Sequence, residues 1–399
     1  MDKTNITMTL KKYTMTIALV VVIIFFSIMT KGSILLPQNI NNLFSQNAYV
    51  FVLAVGMLLC ILTGGNIDLA VGSVVCFCGA VGGKLMDNNV SVGLSVIVML
   101  LVGILIGLWQ GFWIAYIKVP PFIATLSGMY AFRGLSNVVL NGMVVTLDDP
   151  KFIDVFGGGA NCYVKDFLRG ATEITDAGQT GVTNLTCLVA GIIAVVIFIA
   201  SVIKGRMNAT KRGYETTPIV SEVIKDAIIS IVVLWVANKL AHYKGIPTSF
   251  IWILLVVLVY GYVTTKTRIG RHLYAVGGNA KAASLSGINT KYIYFFAYIN
   301  MGFLAGLAGI LTVARATSAQ PTYGQGYEMD AIGACFIGGA SAYGGIGTVP
   351  GVIIGALLTG VINQGMSIMG INANYQKVVK GLVLLIAVIF DVVSKNEKK

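Results

Sequence analysis

The stretch TGGNIDLAVGS, Thr63 to Ser73, sets Asn66 and Asp68 between two runs that are otherwise apolar. A second set of polar groups, Gln320, Tyr323, Gln325, Glu328 and Asp330, falls in AQPTYGQGYEMD near the C-terminal third. Such groups can line a polar path with hydrogen-bond partners, and the carboxylates could carry a coupling proton or Na⁺. A charged carboxylate in hydrocarbon costs about 2.5 to 3.5 kcal/mol on insertion scales, so these acids must face protein or a water-filled path. Gly64 and Gly65 permit a helix break. Asp68 then either caps the following helix or lines the path, two roles that are compatible.

Other chemistries lack material. His242 and His272 are the only histidines, which leaves little for a metal site or a histidine-based triad. No nucleophile, base and orienting group stand out together, which argues against a membrane-embedded enzyme. No G-x-x-x-x-G-K-[ST] phosphate loop occurs, because Gly83-Lys84 is followed by Leu85 inside an apolar run. Cys60, Cys76, Cys78 and Cys335 lie in apolar stretches and read as small packed thiols. Cys162 and Cys187 border a polar loop, as packed thiols or as a bridge.

These groups must be positioned by membrane-spanning helices. Of the 399 residues 56% are hydrophobic and only 11% charged, far more apolar surface than one soluble core could hide. The net charge of +12 comes from Lys and Arg interspersed with apolar runs, so membrane topology explains it and nucleic acid is not an expected partner. KKYTMTIALVVVIIFFSIMT opens like a signal peptide, yet no small-residue cleavage site follows, so it reads as an uncleaved first span. Runs near 14–30, 46–62, 69–84, 92–116, 122–140, 185–203, 227–241, 249–265, 292–314, 329–343, 349–369 and 376–393 are predicted to cross.

Orientation follows from the basic residues. Lys3, Lys11 and Lys12; Lys204, Arg206, Lys211 and Arg212; Lys266, Arg268, Arg271, Lys281 and Lys291; and Lys395, Lys398 and Lys399 mark the cytoplasmic loops, placing both termini inside. The segment 141–184 holds Asp148, Asp149, Asp154, Asp166, Glu173 and Asp176 against Lys151, Lys165 and Arg169, and is predicted to be extracytoplasmic. Residues 204–265, a polar basic stretch followed by two crossings, read as an inserted hairpin and the span after it.

Thr265 to Lys291, TKTRIGRHLYAVGGNAKAASLSGINTK, contains five Lys and Arg residues and no acid. Asn279 is a plausible N-cap and Gly287 a plausible C-cap for a helix over 280–286. Isolated helices below roughly 12 residues are marginal in water, so the membrane domain or a partner must hold it. The plainer alternative is a basic loop lying on anionic headgroups.

Within that segment, GRHLYAVGGNAKAASLSGI resembles the cytoplasmic coupling segment of permeases in bacterial ATP-binding-cassette importers for monosaccharides, the ribose, xylose, arabinose and galactose group. TGGNIDLAVGS resembles that family's second signature, and ARATSAQPTYGQGYEMDAIGACFIGGASAYGGIGT its third, in the same order. The resemblance implies an all-α integral membrane protein with a type II importer fold of ten core helices, here with a probable extra hairpin. It also implies a homodimer in the bacterial cell membrane, a cytoplasmic ATPase that binds ATP and Mg²⁺ so that this chain needs no cofactor, and an extracytoplasmic sugar-binding protein. Arg271, Gly277, Gly278, Asn279, Ala282, Ser286 and Gly287 would then make the coupling contact. Asn66 stands as an insertion relative to the family's motif, and the long loop and hairpin suggest the xylose or multiple-sugar branch.

Two further expectations concern symmetry and assembly. Asp68 is followed by LAVGSVVCFCGAVGG and Asp330 by AIGACFIGGASAYGG, each an acid, a small-residue helix with Cys and Phe, then paired glycines. This is either an inverted repeat whose broken helices meet at the substrate path or a by-product of close helix packing. Gly333, Gly338, Gly339, Gly344 and Gly345 are candidates for the dimer interface. An ion-coupled secondary transporter using Asp68, Glu328 and Asp330 is the alternative function.

Overall fold

The computed structural model describes residues 3–159, 161–169, 183–213 and 219–396. Glu173, Asp176, Lys398 and Lys399 lie outside the described residues, as does part of the loop 141–184.

The chain opens with α1 (Lys3–Met29), α2 (Pro37–Gln46), α3 (Ala48–Leu62), α4 (Val71–Asp87), α5 (Val92–Ala115) and α6 (Pro121–Leu140). Strand β1 (Val145–Thr146) and α7 (Pro150–Phe156) lead to the antiparallel pair α8 (Leu185–Lys211) and α9 (Ile219–Ala241). Then come α10 (Thr248–Lys266), α11 (Arg268–Gly278), α12 (Ala280–Leu285), α13 (Thr290–Ala316), β2 (Ser318–Ala319), α14 (Tyr327–Ile337), α15 (Val349–Ile368) and α16 (Ala373–Asn396). Among the described residues five helices, α5, α8, α10, α13 and α15, are long and apolar enough to cross a membrane, and α2 and α3, bent by 44° at their junction, are together apolar and long enough for a broken span or a re-entrant loop. The chain is a multi-pass helical membrane protein. The only strands among the described residues are the two-residue pair in which Val145 faces Ala319 and Thr146 faces Ser318.

Burial follows the centre of the bundle. In α3 every side chain from Val50 to Leu62 is 1% exposed or less, glycine apart, because α13, α14 and α15 enclose it. α5 and α13 approach along glycines: a Cβ on Gly103 would meet the Gly302 carbonyl, and one on Gly302 would meet that of Gly103. Close backbone approach of this kind drives helix association where lipid offers no hydrophobic force. By contrast α8 packs chiefly on α9 among the described helices, and most of its apolar surface is open.

Several boundaries differ from expectation. The run near 329–343 is not a span: α14 has 11 residues and stops at Ile337, where Gly339 turns the chain with φ of 84°. At 1.5 Å per residue it covers roughly half of a hydrocarbon core. The polar stretch after Lys204 is helical through Lys211, and α9 begins at Ile219 rather than near residue 227. An ion pair between Arg206 and Glu222 ties the two helices there. All six cysteines are free; the Cys162 and Cys187 thiols instead meet the Gly159 and Ala237 carbonyls, each at 3.4 Å. Gly338, Gly344 and Gly345 make close backbone approaches inside the chain, against Gly351, Gly64 and Gly277–Gly278.

Candidate functional site: two interrupted helices and a capped helical hairpin

After Leu62 the chain leaves the helical conformation. Gly64 and Gly65 take φ of 133° and 76°, values that an L side chain rarely adopts. Thr63 Oγ1 donates to the Cys60 carbonyl at 2.7 Å, and Asn66 Nδ2 donates to Thr63 Oγ1 at 3.0 Å, so Asn66 braces the break. Asp68, 2% exposed, accepts from Ala70 N at 2.8 Å. This two-residue reach is an Asx turn just ahead of α4, whose N-cap position is Ala70 with no side-chain cap. The carboxylate therefore shapes the entry into α4 without occupying the cap position itself.

The second interruption follows α13. Thr317 ends that helix in the left-handed region, Gly324 and Gly326 turn the chain with φ of 75° and 81°, and α14 starts at Tyr327. The two breaks touch. A Cβ on Gly72 would overlap the Gly324 carbonyl, one on Gly324 would overlap that of Gly72, and the Glu328 carboxylate borders the same point. From that contact α4 runs to the end of the bundle where Gly83 meets Ala319, while α14 runs the other way beside the first turns of α15. Two helix N-termini thus begin inside the bundle and diverge, an arrangement in which backbone N–H groups and polar side chains can face a path.

The polar residues separate into different roles. Tyr323 Oη hydrogen-bonds Ser318 Oγ at 2.8 Å, the Gln320 carbonyl receives the Cys76 thiol at 3.6 Å, and Gln325 is exposed. Asp330 turns away from this group. Its Oδ2 accepts from Tyr49 Oη at 2.7 Å and from Lys380 Nζ at 3.0 Å, with the carboxylate 3% exposed. The pair joins α14 to α3 and α16 and borders a small cavity of about 20 Å³ shared with Thr359 and Asn363. A larger cavity of about 110 Å³ lies among Gln46, Tyr49, Thr312, Arg315, Tyr323 and Tyr327, where the Tyr49 and Tyr327 rings stack at 3.5 Å.

Three residues here escape a reading of motifs. Arg133 of α6 donates through Nη1 to the carbonyls of Pro321 at 3.1 Å and Tyr323 at 2.5 Å, clamping the loop ahead of α14. Lys380 and Tyr49 neutralise and orient Asp330. The available signal was a lone cation inside an apolar run for Arg133, and a Lys at the head of another for Lys380; such residues normally face the bundle interior.

The basic segment forms a helical hairpin. Thr267 caps α11 by accepting from Gly270 N at 3.1 Å, and Asn279 caps α12 by accepting from Ala282 N at 2.9 Å. Gly287, with φ of 85°, follows the C-cap Ser286, whose Oγ donates to the Ala282 carbonyl. The capped helix predicted over 280–286 is present as α12, whereas α11 was not foreseen, although Ile269, Leu273 and Val276 recur at helical spacing. Leu273, Val276 and Ala283 are buried against the bundle. Arg271, Gly278, Asn279, Ala282, Ser286 and Gly287 are exposed, and so is Leu285 at 83%. Gly277 instead faces inward, onto the Leu62 carbonyl and Gly345.

Interrupted helices inside a multi-pass bundle, with a rigid polar hairpin at one end, define a transport permease. The chain belongs to the family described as branched-chain amino acid transport system / permease component, whose profile matches residues 39–165 and 182–388. It is 34% identical to the xylose transport system permease protein of Escherichia coli (strain K12), over 97% of this chain and 93% of that one. The xylose transport system permease protein of Haemophilus influenzae is 35% identical over 98% of each chain. The ribose import permease protein of Bacillus subtilis (strain 168) is 34% identical over 94% of this chain and 91% of that one. No solved structure matches the chain.

Proposed function

We propose that this chain is the membrane subunit of an ATP-binding-cassette importer that carries a neutral monosaccharide of the pentose class into a bacterial cytoplasm. The observation that carries this reading is the exposed, doubly capped α12 continuing from α11, whose inner face is buried. A six-residue helix held in place this way presents a fixed face to a partner, and the exposed Leu285 offers that partner an apolar contact. The named relatives, xylose and ribose permeases of nearly the same length, support the cargo class.

The hairpin end also gathers Lys204, Arg206, Lys211, Arg212, Lys266, Arg268, Lys281 and Lys291, which supports a cytoplasmic placement for it and for both termini. The opposite end, with β1, α7 and Asp166, would receive an extracytoplasmic sugar-binding protein. ATP and Mg²⁺ would be held by the ATPase, and two copies of the chain would surround one path. Coupling to an ion gradient is less well supported, because Asp330 already pairs with Lys380.

Co-purification tests the proposal. The chain, expressed with the importer ATPases and sugar-binding proteins of its own genome, is expected to retain one of each, and the retained binding protein is expected to release xylose, ribose or a close relative on denaturation. Leu285→Asp should lose the ATPase and keep the binding protein. A chain that retains no ATPase under these conditions would overturn the reading.

A further inference from the structure

We infer that α11, through Gly277 and Tyr274, ties the docking hairpin to both interrupted helices at a single junction, so that the two half-helices are displaced together. This rests on the importer reading above and assigns positioning residues within it.

The junction brings three chain segments to one point. Leu62, the last residue of α3 before the first break, accepts through its carbonyl from Gly345 N at 3.1 Å. Gly277 of α11 lies on the same carbonyl so closely that a Cβ there would overlap it, and would stand 2.5 Å from Gly345 N. Tyr274, one turn earlier, donates from Oη to the Gly347 carbonyl at 2.8 Å. The loop after α14 and the first break also interlock directly, since a Cβ on Gly344 would overlap Gly64 and one on Gly65 would overlap the Ala342 carbonyl.

Each contact needs a residue that can approach without a side chain or turn with positive φ. Gly64, Gly65, Gly344 and Gly345 take φ of 133°, 76°, 83° and 70°. Leu62 leads through eight residues into α4, and Gly345 and Gly347 lie eight and ten residues past the end of α14, so this one point holds the start of the first break and the segment that leaves α14. On the same inner face α11 is seated by Leu273 and Val276, 0% and 1% exposed, and it continues into exposed α12 through Asn279 alone. A push on α12 therefore reaches both half-helices, α4 through the first break and α14 through the loop that leaves it, by the close approach of Gly277 and the Tyr274 hydrogen bond. Packed interfaces of this kind switch between discrete arrangements rather than deforming gradually.

The test is sugar imported per ATP hydrolysed, measured in proteoliposomes holding the chain with its ATPase and binding protein. Gly277→Ala is expected to lower that ratio by at least about fivefold, the lower end of coupling between linked sites, while ATP is still hydrolysed. Tyr274→Phe removes a single O–H and should lower the ratio by a smaller factor at unchanged abundance. Gly261→Ala, where a Cβ meets nothing within 4 Å, serves as the control and should match the parent. A purely structural role would reduce abundance, or both rates in step, and leave the ratio alone. If Gly277→Ala fails to reach the membrane, Tyr274→Phe decides. Parent-like ratios in both variants would overturn the inference while leaving the importer reading intact. A parent that imports no sugar with ATP would overturn the importer reading instead.

Discussion

Asp68 and Asp330 stand at corresponding places, each beside a glycine-bounded break ahead of a short helix that begins inside the bundle, yet their carboxylates are satisfied in opposite ways. Asp68 bonds its own backbone two residues on, at Ala70 N. Asp330 reaches Tyr49 on α3 and Lys380 on α16. The first acid shapes a local turn, and the second fastens its half-helix to two others. Similar residue patterns at two breaks therefore do not imply similar roles. What decides is whether the neighbouring elements bring a counter-charge.

The largest effect should come from isolating one charge of the Asp330 pair. Lys380→Ala leaves a buried carboxylate without its ammonium, a change that costs about 3 to 5 kcal/mol in buried pairs. Membrane abundance and detergent melting temperature are expected to fall sharply. Asp330→Asn combined with Lys380→Met should recover most of the loss, because both charges are then gone. A double variant as unstable as Lys380→Ala would show that the pair is not what holds α14.

Arg133→Gln should come next. Hydrogen bonds to charged groups contribute about 1.5 to 3 kcal/mol, and this guanidinium holds the carbonyls of Pro321 and Tyr323 on the loop that precedes α14. Uptake at equal membrane abundance is the readout, with a severalfold loss expected. Unchanged uptake would mean that the loop keeps its shape without the clamp.

Asp68 should be milder. Asp68→Asn keeps an oxygen that can accept from Ala70 N and is expected to retain most uptake. Asp68→Ala removes the turn bond and should cost about 1 kcal/mol, as loss of a helix-initiating side chain does. If Asp68→Asn lost as much uptake as Lys380→Ala, the charge of Asp68 would be acting on the path and the contrast between the two acids would disappear.

The smallest effect concerns Asp166, outside the membrane helices, which accepts from Leu185 N, Thr186 N and Thr186 Oγ1 at the start of α8. Slight burial raises its carboxyl, but the hydrogen bonds from Leu185 and Thr186 outweigh it and hold the carboxyl below the usual aspartate range. Its stabilisation is fully present above about pH 4, the unfolded value, and fades as pH falls through the lower folded value. Asp166→Asn should remove that acid-side dependence from thermal melting of the detergent-solubilised chain. An identical melting profile below pH 4 in parent and variant would show that the contact contributes nothing.

Local chemistry was legible in the sequence. The Asn279 cap and the Gly287 turn fixed α12 to within a residue, because both act on backbone groups a few positions away. The break at Gly64–Gly65 was legible for the same reason. Tertiary partners were not. Nothing in the neighbourhood of Asp330 names Lys380, 50 residues on, or Tyr49, so its ion pair and its hydrogen bond were not legible. The length of α14 was misread because apolar residues and glycines continue past Ile337, and hydropathy does not register that Gly339 reverses the chain. Likewise α11 was hidden by its charges, although three buried residues mark its inner face.

The most direct measurement of the central claim is sugar uptake by proteoliposomes containing the purified chain with the proposed ATPase and binding-protein partners, and either ATP or an ion gradient as the only energy source. The account predicts that xylose or ribose accumulates with ATP, that a protonophore makes no difference, and that omitting the ATPase abolishes uptake. Accumulation driven by a proton or Na⁺ gradient without the ATPase would contradict it.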